Sequence, residues 1–285
     1  MKVLVTGASG HVGRFVVQYL LEKGEEVVAA GTNPDRLESL FNESVETVRL
    51  DLTDEKTFDQ AIKDVDRVFL MRPPHLGKAE ALYPFIDRMK THGIKLVAFL
   101  SLMGVQKNPF PPHHKIEKHI KKENLPYAFI RPGFFMQNLI GIHAEEIREY
   151  GKIFIPAGKS KTSFIDTLDI GKASAVLLHE WESYRNTTHT LTGPESLNYY
   201  DIATILSRVL DKPITYARPG LLKYRRVMTK ERGLDKGYVN VTMMLYLMTR
   251  LGTAKRVTDD FTRLTGESPR TFETFAREHK AHFMK

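Results

Sequence analysis

Three glycines near the N-terminus have the spacing of a turn that binds a dinucleotide. The turn reads Gly7-Ala8-Ser9-Gly10-His11-Val12-Gly13, between the apolar run 3–6 and an amphipathic stretch that ends at residue 24. In such a turn the first glycine allows the bend, the second admits the pyrophosphate, and the third lets the helix pack on the strand. Free amides at the helix N-terminus attract phosphate. The pattern predicts a nucleotide cradle; a plain strand–helix turn is the alternative.

The end of the second apolar run bears on the choice between NADP(H) and NAD(H). It reads Ala30-Gly31-Thr32-Asn33-Pro34-Asp35-Arg36, with no acidic residue at the strand end. An acid there would accept from the ribose 2′-OH of NAD(H) and repel a 2′-phosphate. Thr32 and Asn33 can instead donate hydrogen bonds, and Arg36 lies one turn into the next helix. We therefore expect NADP(H) to be preferred, with NAD(H) as the alternative.

Two further strand ends carry candidate cofactor residues. Asp51 closes the third run, where it can accept from the adenine amino group while Leu52 covers the ring. The alternative for Asp51 is a turn or N-cap role, which Asp54 could also fill. The fourth run ends at Met71-Arg72-Pro73-Pro74, expected to border the cofactor riboses, although the prolines also serve to end a strand.

Short apolar runs alternate with helical periodicity through the first half of the chain. The predicted strands are 3–6, 26–30, 47–50, 67–71, 96–101 and 128–131, with helices at 34–42, 54–62, 78–92 and 113–123 between them. This alternation predicts an α/β fold with a doubly wound, Rossmann-like parallel sheet, whose ligands bind beyond the carboxyl ends of the strands. We expect residues 1–135 to form the dinucleotide-binding core, with a segment around 162–195 returning to it. Residues 136–285 are expected to form mainly a smaller, mostly helical lobe.

Composition limits the chemistry and the location. The 285 residues include no cysteine, which excludes thiolate catalysis and disulfides, and we expect no metal site. No apolar run is long enough to cross a bilayer and no secretory pattern opens the chain, so a cytoplasmic protein without membrane contact is expected. The net charge of +8 includes basic clusters at 218–236 and 115–122. Without a nucleic-acid-binding motif, these clusters indicate a solvated surface, and nucleic acid is not an expected partner.

Later motifs occur in a fixed order along the chain. They are Arg131-Pro132-Gly133-Phe134-Phe135-Met136-Gln137-Asn138, Ser163-Phe164-Ile165-Asp166, Thr190-Leu191-Thr192-Gly193-Pro194-Glu195 and Leu264-Thr265-Gly266. With the glycine turn, they make essentially the whole chain resemble the NmrA-like atypical short-chain dehydrogenases. The resemblance implies a Rossmann fold with a small C-terminal lobe, and substrate or effector bound between them. Pro132, Gly133 and Phe134 follow the sixth predicted strand, and this position at its carboxyl end makes them expected cofactor contacts.

The residues that follow could form a substrate wall. Phe135 and Met136, together with Phe134, offer apolar surface for a flat aromatic molecule, or belong to the core of the lobe. Asn138 could position a substrate carbonyl, or cap a helix at Leu139. Both alternatives stay open for each residue on the sequence alone.

The resemblance also locates the catalytic segment and a departure within it. Typical short-chain dehydrogenases use a Tyr-x-x-x-Lys pair; alignment on Glu117 and Arg131 puts Pro109 at the tyrosine position and His113 at the lysine position. Lys115 is two residues out of register and is expected to point elsewhere. A histidine here is similar to the quinone-reductase and triphenylmethane-dye-reductase members of the family.

His113 is therefore the expected catalytic residue. It could orient the cofactor ribose or carboxamide, or donate a proton; the alternative is a helix-start residue without a role. Ser101, at the fifth strand end, could bond to cofactor or substrate, or satisfy backbone groups.

The missing tyrosine narrows the reaction. An unactivated ketone needs a proton donor, whereas a quinone or a cationic dye accepts hydride without one, because the product is far less basic than an alkoxide. We predict an NAD(P)H-dependent oxidoreductase that passes hydride to a flat, electron-poor small molecule. The alternative is a non-catalytic, NAD(P)-sensing regulator of the NmrA type.

Overall fold

Strands and helices alternate through most of the molecule. The computed structural model describes residues 1–284, apart from the side chain of residue 43; residue 285 of the predicted lobe lies outside the described residues. The strands are β1 (Lys2–Thr6), β2 (Val27–Gly31), β3 (Glu46–Arg49), β4 (Val65–Met71), β5 (Leu96–Leu100), β6 (Tyr127–Pro132), β7 (Phe134–Phe135), β8 (Lys152–Ile153), β9 (Thr162–Ile165), β10 (Thr187–Leu191), β11 (Ser196–Leu197) and β12 (Thr215–Tyr216).

The helices follow the same order along the chain. They are α1 (Gly13–Glu22), α2 (Pro34–Phe41), α3 (Phe58–Ile62), α4 (Tyr83–Thr91), α5 (Pro112–Lys122), α6 (Ala144–Tyr150), α7 (Thr167–His179), α8 (Tyr199–Leu210), α9 (Leu221–Arg226), α10 (Lys236–Arg250), α11 (Asp260–Thr265) and α12 (Phe272–Glu278). In the part of the chain that the structure describes, no helix is long and apolar enough to cross a membrane.

The main sheet has seven parallel strands in the order β10-β6-β5-β4-β1-β2-β3. β1, β4 and β5 are buried along almost their whole length, because helices cover both faces of a parallel sheet. The predicted doubly wound, Rossmann-like fold is confirmed. Strand order reverses between β1 and β4, so their carboxyl ends flank the place where such sheets bind ligands.

The chain forms two compact units. The first unit contains residues 1–132, 167–191 and 260–267, and its returning segment adds α7 and β10 to the sheet. Gly171 permits close contact between α7 and α1, since a Cβ at this position would lie 2.4 Å from the Cβ of Phe15. The returning segment covers residues 167–191; residues 162–166 and 192–195, which we expected within it, belong to the second unit, as do residues 133–135 of the expected core.

The second unit has its own sheet and core. β9 pairs with β7 in parallel and with β11 in antiparallel orientation, while β8 pairs with β12. Its core is rich in buried aromatic rings, among them Tyr199, Tyr224, Phe272 and Phe275. Close backbone contacts replace side chains in places: a Cβ on Gly133 would lie 2.4 Å from the carbonyl oxygen of Ser163.

Two helices begin later than the periodicity predicted. Residues 55–57 and 79–82 form 3₁₀ turns before α3 and α4. In the first, the Thr57 hydroxyl lies 2.8 Å from the carbonyl oxygen of Asp54 and 3.2 Å from that of Asp51, which holds the tighter turn. In the second, Pro84 stands in the first turn of α4, where its missing N–H leaves no helical bond unmade.

Candidate functional site

The glycine turn has room for backbone only. Gly7 has φ +62°, and a Cβ there would lie 2.1 Å from Met71 Sδ. A Cβ on Gly13 would lie 2.3 Å from the carbonyl oxygen of Gly7, and one on Gly10 would lie 3.1 Å from the same oxygen. Positions 7 and 13 therefore require glycine for different reasons, a left-handed backbone at one and a close approach at the other.

The same turn leaves backbone donors unused at the start of α1. Among the described residues, the amides of His11, Val12 and Gly13 have no hydrogen-bond acceptor, whereas the Gly10 amide donates to Gly7 at 2.9 Å. The first turn of α1 also contains no acidic residue. Free amides and a positive helix end without a nearby carboxylate form a site suited to an anion.

A cavity of about 240 Å³ opens beside this turn at the carboxyl edge of the sheet. Eight of the residues predicted for the cofactor line it: Gly7, Ser9, Gly10, Thr32, Asp51, Leu52, Met71 and Pro73. The cavity also includes Thr6, His75 and Leu76, which sequence reasoning missed. His75 and Leu76 follow the Pro73-Pro74 pair, so the prolines were a signal for a lining loop as well as for a strand end.

Asp51 and Asp54 both hold local turns, which was the alternative role that the sequence left open for Asp51. Asp54 caps the 3₁₀ turn by accepting from the Lys56 amide at 3.2 Å. The Oδ1 atom of Asp51 accepts from the Thr53 hydroxyl at 2.7 Å and from its amide at 2.9 Å. These bonds lower the pKa of Asp51, which is therefore a carboxylate at the cavity wall at neutral pH.

The end of β2 presents donors and one free guanidinium. Asn33 caps α2, since its Oδ1 accepts from the Arg36 amide at 3.1 Å, and its side-chain nitrogen remains a donor. Arg36 is exposed, and no ion pair among the described residues involves it. Thr32 lines the cavity. Thr32, Asn33 and Arg36 together provide hydrogen-bond donors and one positive charge, and the strand end itself has no carboxylate. This combination suits a phosphate better than a sugar hydroxyl.

A buried ion pair anchors α5 to the sheet. Arg131 on β6 donates to both carboxylate oxygens of Glu117, at 2.9 and 2.6 Å. The Ser101 hydroxyl donates to the same carboxylate at 2.6 Å, so its proton is committed and only its lone pairs can meet a ligand. Glu117 and Arg131 are 5% and 9% exposed, and the two charges cancel. The sequence supplied their spacing but not this contact.

His113 lies one turn before Glu117, on the same buried face of α5. Its ring stacks on Phe99 with 5.9 Å between centroids, and its Nδ1 has no hydrogen-bond partner among the described residues. Burial, and then the charge of Arg72, lower the pKa of His113 to about 3. The imidazole is therefore neutral at physiological pH. Lys115 points away from this face and pairs with Glu80 at 3.2 Å, and Pro109 is exposed.

Arg72 carries a partly buried charge that no described carboxylate pairs with. Its Nη1 donates to the carbonyl oxygens of Pro73 and Pro74 at 3.1 and 3.4 Å, and to that of Leu76. Its Nε is buried without a partner. Burial lowers the pKa of Arg72, but a guanidinium stays protonated in proteins. The start of α5 thus faces one uncompensated positive charge.

The remaining predicted residues occupy the end of β6 and the start of the second unit. Pro132 ends β6, and Phe134 and Phe135 form β7, half-buried. Met136 is 1% exposed and packs in the core of the second unit. Asn138 is exposed within a 3₁₀ turn at Met136–Leu139 and does not cap it, because the turn begins after Phe135 without a side-chain bond.

Gln137 was missed by sequence reasoning. It is 5% exposed, and its Nε2 donates to Asp166 at 2.6 Å. Arg270 Nε reaches the other oxygen of that carboxylate at 3.1 Å. The polar residue in an otherwise apolar segment therefore closes a network inside the second unit.

The family assignment follows from comparison with known proteins. The model of the NmrA-like family matches residues 1–250. The chain therefore belongs to the NmrA-like family, as its motifs indicated.

Individual relatives cover nearly the whole chain. Prestalk A differentiation protein A of Dictyostelium discoideum is 29% identical over 98% of this chain and 92% of its own length. NAD(P)H azoreductase of Xenophilus azovorans is 29% identical over 99% of each. Among solved structures, the NADPH-dependent quinone oxidoreductase QOR2 of Escherichia coli, complexed with NADPH, matches with a TM-score of 0.89 and 21% identity, over 99% of this chain and 100% of its own. This last likeness establishes the fold alone.

Proposed function

We propose that this protein is an NADPH-dependent oxidoreductase that transfers hydride to a flat, neutral, electron-poor small molecule such as a quinone or an azo compound. The observation that carries the proposal is a cavity at the glycine turn together with the Arg72 charge, which no described carboxylate pairs with, and the neutral His113 that feels this charge. The activities for which two of the similar proteins are named, an azoreductase and a quinone oxidoreductase, support the same class of reaction.

The residues present fit the cofactor. The glycine turn leaves a space that a Cβ would fill, and three amides without an acceptor are available to bind an anion. In this assignment the amides of residues 11–13, with Ser9, hold the pyrophosphate. Asp51 accepts from the adenine amino group and Leu52 covers the ring. Thr32, Asn33 and Arg36 hold the 2′-phosphate, which is why NADPH is favoured over NADH.

Residues at three strand ends complete the assignment. Met71, Arg72 and Pro73 border the riboses, Ser101 offers lone pairs, and Pro132, Gly133 and Phe134 contact the nicotinamide end. Phe135 forms the apolar wall for the acceptor, with Met136 supporting it from the core and Asn138 offering an amide to a polar substituent.

The charges at the start of α5 determine which acceptors suit the site. Bound NADPH supplies the hydride, and the acceptor gains an electron pair and one negative charge. Arg72 stabilises that developing charge, because a fixed cation in a partly buried site acts without solvent reorganisation. His113 is neutral and positions the reactants through its unpartnered Nδ1. The product anion of a quinone is a weakly basic phenolate, which takes its proton from water.

The charge of Arg72 restricts the range of acceptors that was expected from the sequence. A cationic dye loses its charge on accepting hydride, so Arg72 would repel the substrate and gain nothing in the transition state. We therefore propose neutral acceptors over cationic ones.

Binding and turnover test the proposal in sequence. Calorimetry with NADP⁺ and NAD⁺ is expected to show tighter binding of NADP⁺, and NADPH oxidation is expected with quinones and azo compounds. His113→Asn should lower turnover while leaving NADP⁺ affinity within about threefold, because the residue acts on the reacting end. Tight NADP⁺ binding without oxidation by any acceptor would establish the NmrA-type sensor instead.

A further inference from the structure

Helix α10 exposes an apolar stripe. Val241, Met244, Leu245 and Leu251 are between 45% and 70% exposed. Together with the half-buried Met248, they follow the i, i+3, i+4, i+7 spacing of one helix face. The opposite face of α10 is already buried, since Val239 and Tyr246 are 0% and 5% exposed in the core of the second unit. α10 is thus apolar on two faces, and only one of them is covered.

The positive charge of the whole protein is concentrated around this helix. Residues 218–256 contain ten Lys and Arg against two acidic residues, a net charge of +8, which equals the formal charge of the complete chain. The remaining residues therefore sum to zero. α10 itself contains no Asp or Glu.

Most of these basic residues are available to a partner. Nine of the ten are exposed, and among the described residues only Arg232 has an ion pair, with Glu145 and Glu146. α9 packs against α10 and carries Leu222, which is 83% exposed. We define the α9–α10 surface as the stripe with Leu222 and the exposed cations Lys223, Arg225, Arg226 and Lys230. Lys236 and Arg250 are exposed too, but by helical spacing they project from the other side of α10.

The charge distribution selects among the surfaces that could cover the stripe. A second copy related by a twofold axis would bring the same cations face to face, which opposes association. Nucleic acid would match the charge and leave the alkyl stripe in water. An anionic lipid surface satisfies both features, since its headgroups meet the cations and its acyl boundary receives the apolar side chains.

We propose that the α9–α10 surface docks on a membrane surface rich in anionic lipids. The apolar stripe lies at the boundary of headgroups and acyl chains, and the flanking lysines and arginines contact lipid phosphates. We expected no membrane contact because the sequence has no segment long enough to span a bilayer. Peripheral docking does not require such a segment. The inference does not depend on the proposed reaction.

Vesicle flotation of the purified full chain tests the docking. Vesicles of phosphatidylcholine alone are compared with vesicles containing about 30% phosphatidylglycerol, a content that gives a strongly negative surface. The protein is expected to float with the anionic vesicles only. Raising the salt from about 0.05 to about 0.5 M should release most of it, because the Debye length shortens several-fold.

Two pairs of matched variants separate the two features of the surface. Met244→Glu with Leu245→Glu removes the insertion and should abolish flotation, whereas Leu40→Glu, at a position that is 50% exposed on α2, should leave flotation unchanged. Arg225→Gln with Arg226→Gln should weaken partitioning by about fivefold per residue. The matched control is Lys118→Gln with Lys122→Gln on the basic face of α5, which lacks an exposed stripe.

Each outcome decides the proposal. Anionic flotation lost in the α10 and α9 variants and kept in the controls supports it. No flotation of the unmodified protein overturns it, whatever the variants do. Size-exclusion dimers that Leu245→Glu converts to monomers, without vesicle binding, would show that a second copy covers the stripe and would equally overturn it.

Discussion

The glycine turn and the start of α5 belong to the same ligand-binding edge of the sheet, but they are built from different materials. The turn consists of backbone, and its residue types are dictated by space: at Gly13 a Cβ would lie 2.3 Å from a carbonyl oxygen. The start of α5 consists of side chains, and its residue types are dictated by charge. Glu117 neutralises Arg131, while Arg72 stays uncompensated beside His113. One region shapes a site for a common cofactor, and the other adapts it to an acceptor.

The largest expected effect concerns the compensated part of the second region. Glu117→Gln leaves the Arg131 charge buried without a counter-ion, which should lower the free energy of unfolding by about 4 kcal/mol. Urea unfolding measures the change. Glu123→Gln at the C-cap of the same helix is the matched control, because its ion pair with Lys90 is more exposed and should contribute far less to stability. An equal loss of unfolding free energy in the two variants would contradict the claim that charge compensation stabilises the start of α5.

A steric change in the turn should come next in size. Gly13→Ala places a methyl group against the Gly7 carbonyl, and the overpacking should cost about 3 kcal/mol and remove NADP⁺ binding. Gly77→Ala meets nothing within 4 Å and serves as the control for stability and for NADP⁺ affinity by calorimetry. An alanine at position 13 that binds NADP⁺ normally would show that the turn does not hold the cofactor.

These two regions also explain what the sequence could and could not predict. The glycine spacing, the strand ends and the alternation of elements are local patterns, and the seven-stranded sheet and the cavity follow from them. The contact of Ser101 with Glu117, and the closeness of Arg72 to His113, join residues from different strands and helices. Nothing local marks such contacts, so the sequence offered only a ligand or a backbone group as the partner of Ser101, and it left a cap as one role for Asn138. The exposed stripe of α10 was likewise invisible, because an apolar helix in sequence implies burial.

Acid should destabilise the protein through its buried histidines. Burial holds the pKa of both His113 and His143 at about 3, against 6.5 when unfolded. The unfolded chain takes up protons below pH 6.5 and the folded chain does not, so stability falls as the pH drops through that value. Between pH 7 and 5 the loss should be about 2 kcal/mol per histidine.

Unfolding in urea at both pH values checks this effect. His113→Asn should show an acid sensitivity smaller by about 2 kcal/mol than that of the unmodified protein. An unchanged sensitivity would mean that His113 is protonated in the folded state.

The smallest effect should be a change of cofactor preference. Arg36→Ala removes one charged contact to the 2′-phosphate and should weaken NADP⁺ binding about tenfold, or ~1.5 kcal/mol, while NAD⁺ binding stays the same. Thr32→Asp should shift preference further towards NAD⁺ by repulsion. Calorimetric titration with both cofactors measures the ratio. An equal loss of affinity for NADP⁺ and NAD⁺ would show that Arg36 supports the local fold and does not recognise the 2′-phosphate.

The most direct test of the account is the ratio of NADPH oxidation rates with a neutral quinone and with a cationic triphenylmethane dye, measured in single turnovers. We predict faster reduction of the quinone, and a ratio that falls about tenfold in Arg72→Met, because a fixed charge at the reacting end is worth about that much or more. The ratio is taken at saturating NADPH, because Arg72 also borders the cofactor riboses in the proposed assignment. Equal or faster reduction of the cationic dye by the unmodified protein, with a ratio that Arg72→Met leaves unaltered, would contradict the account.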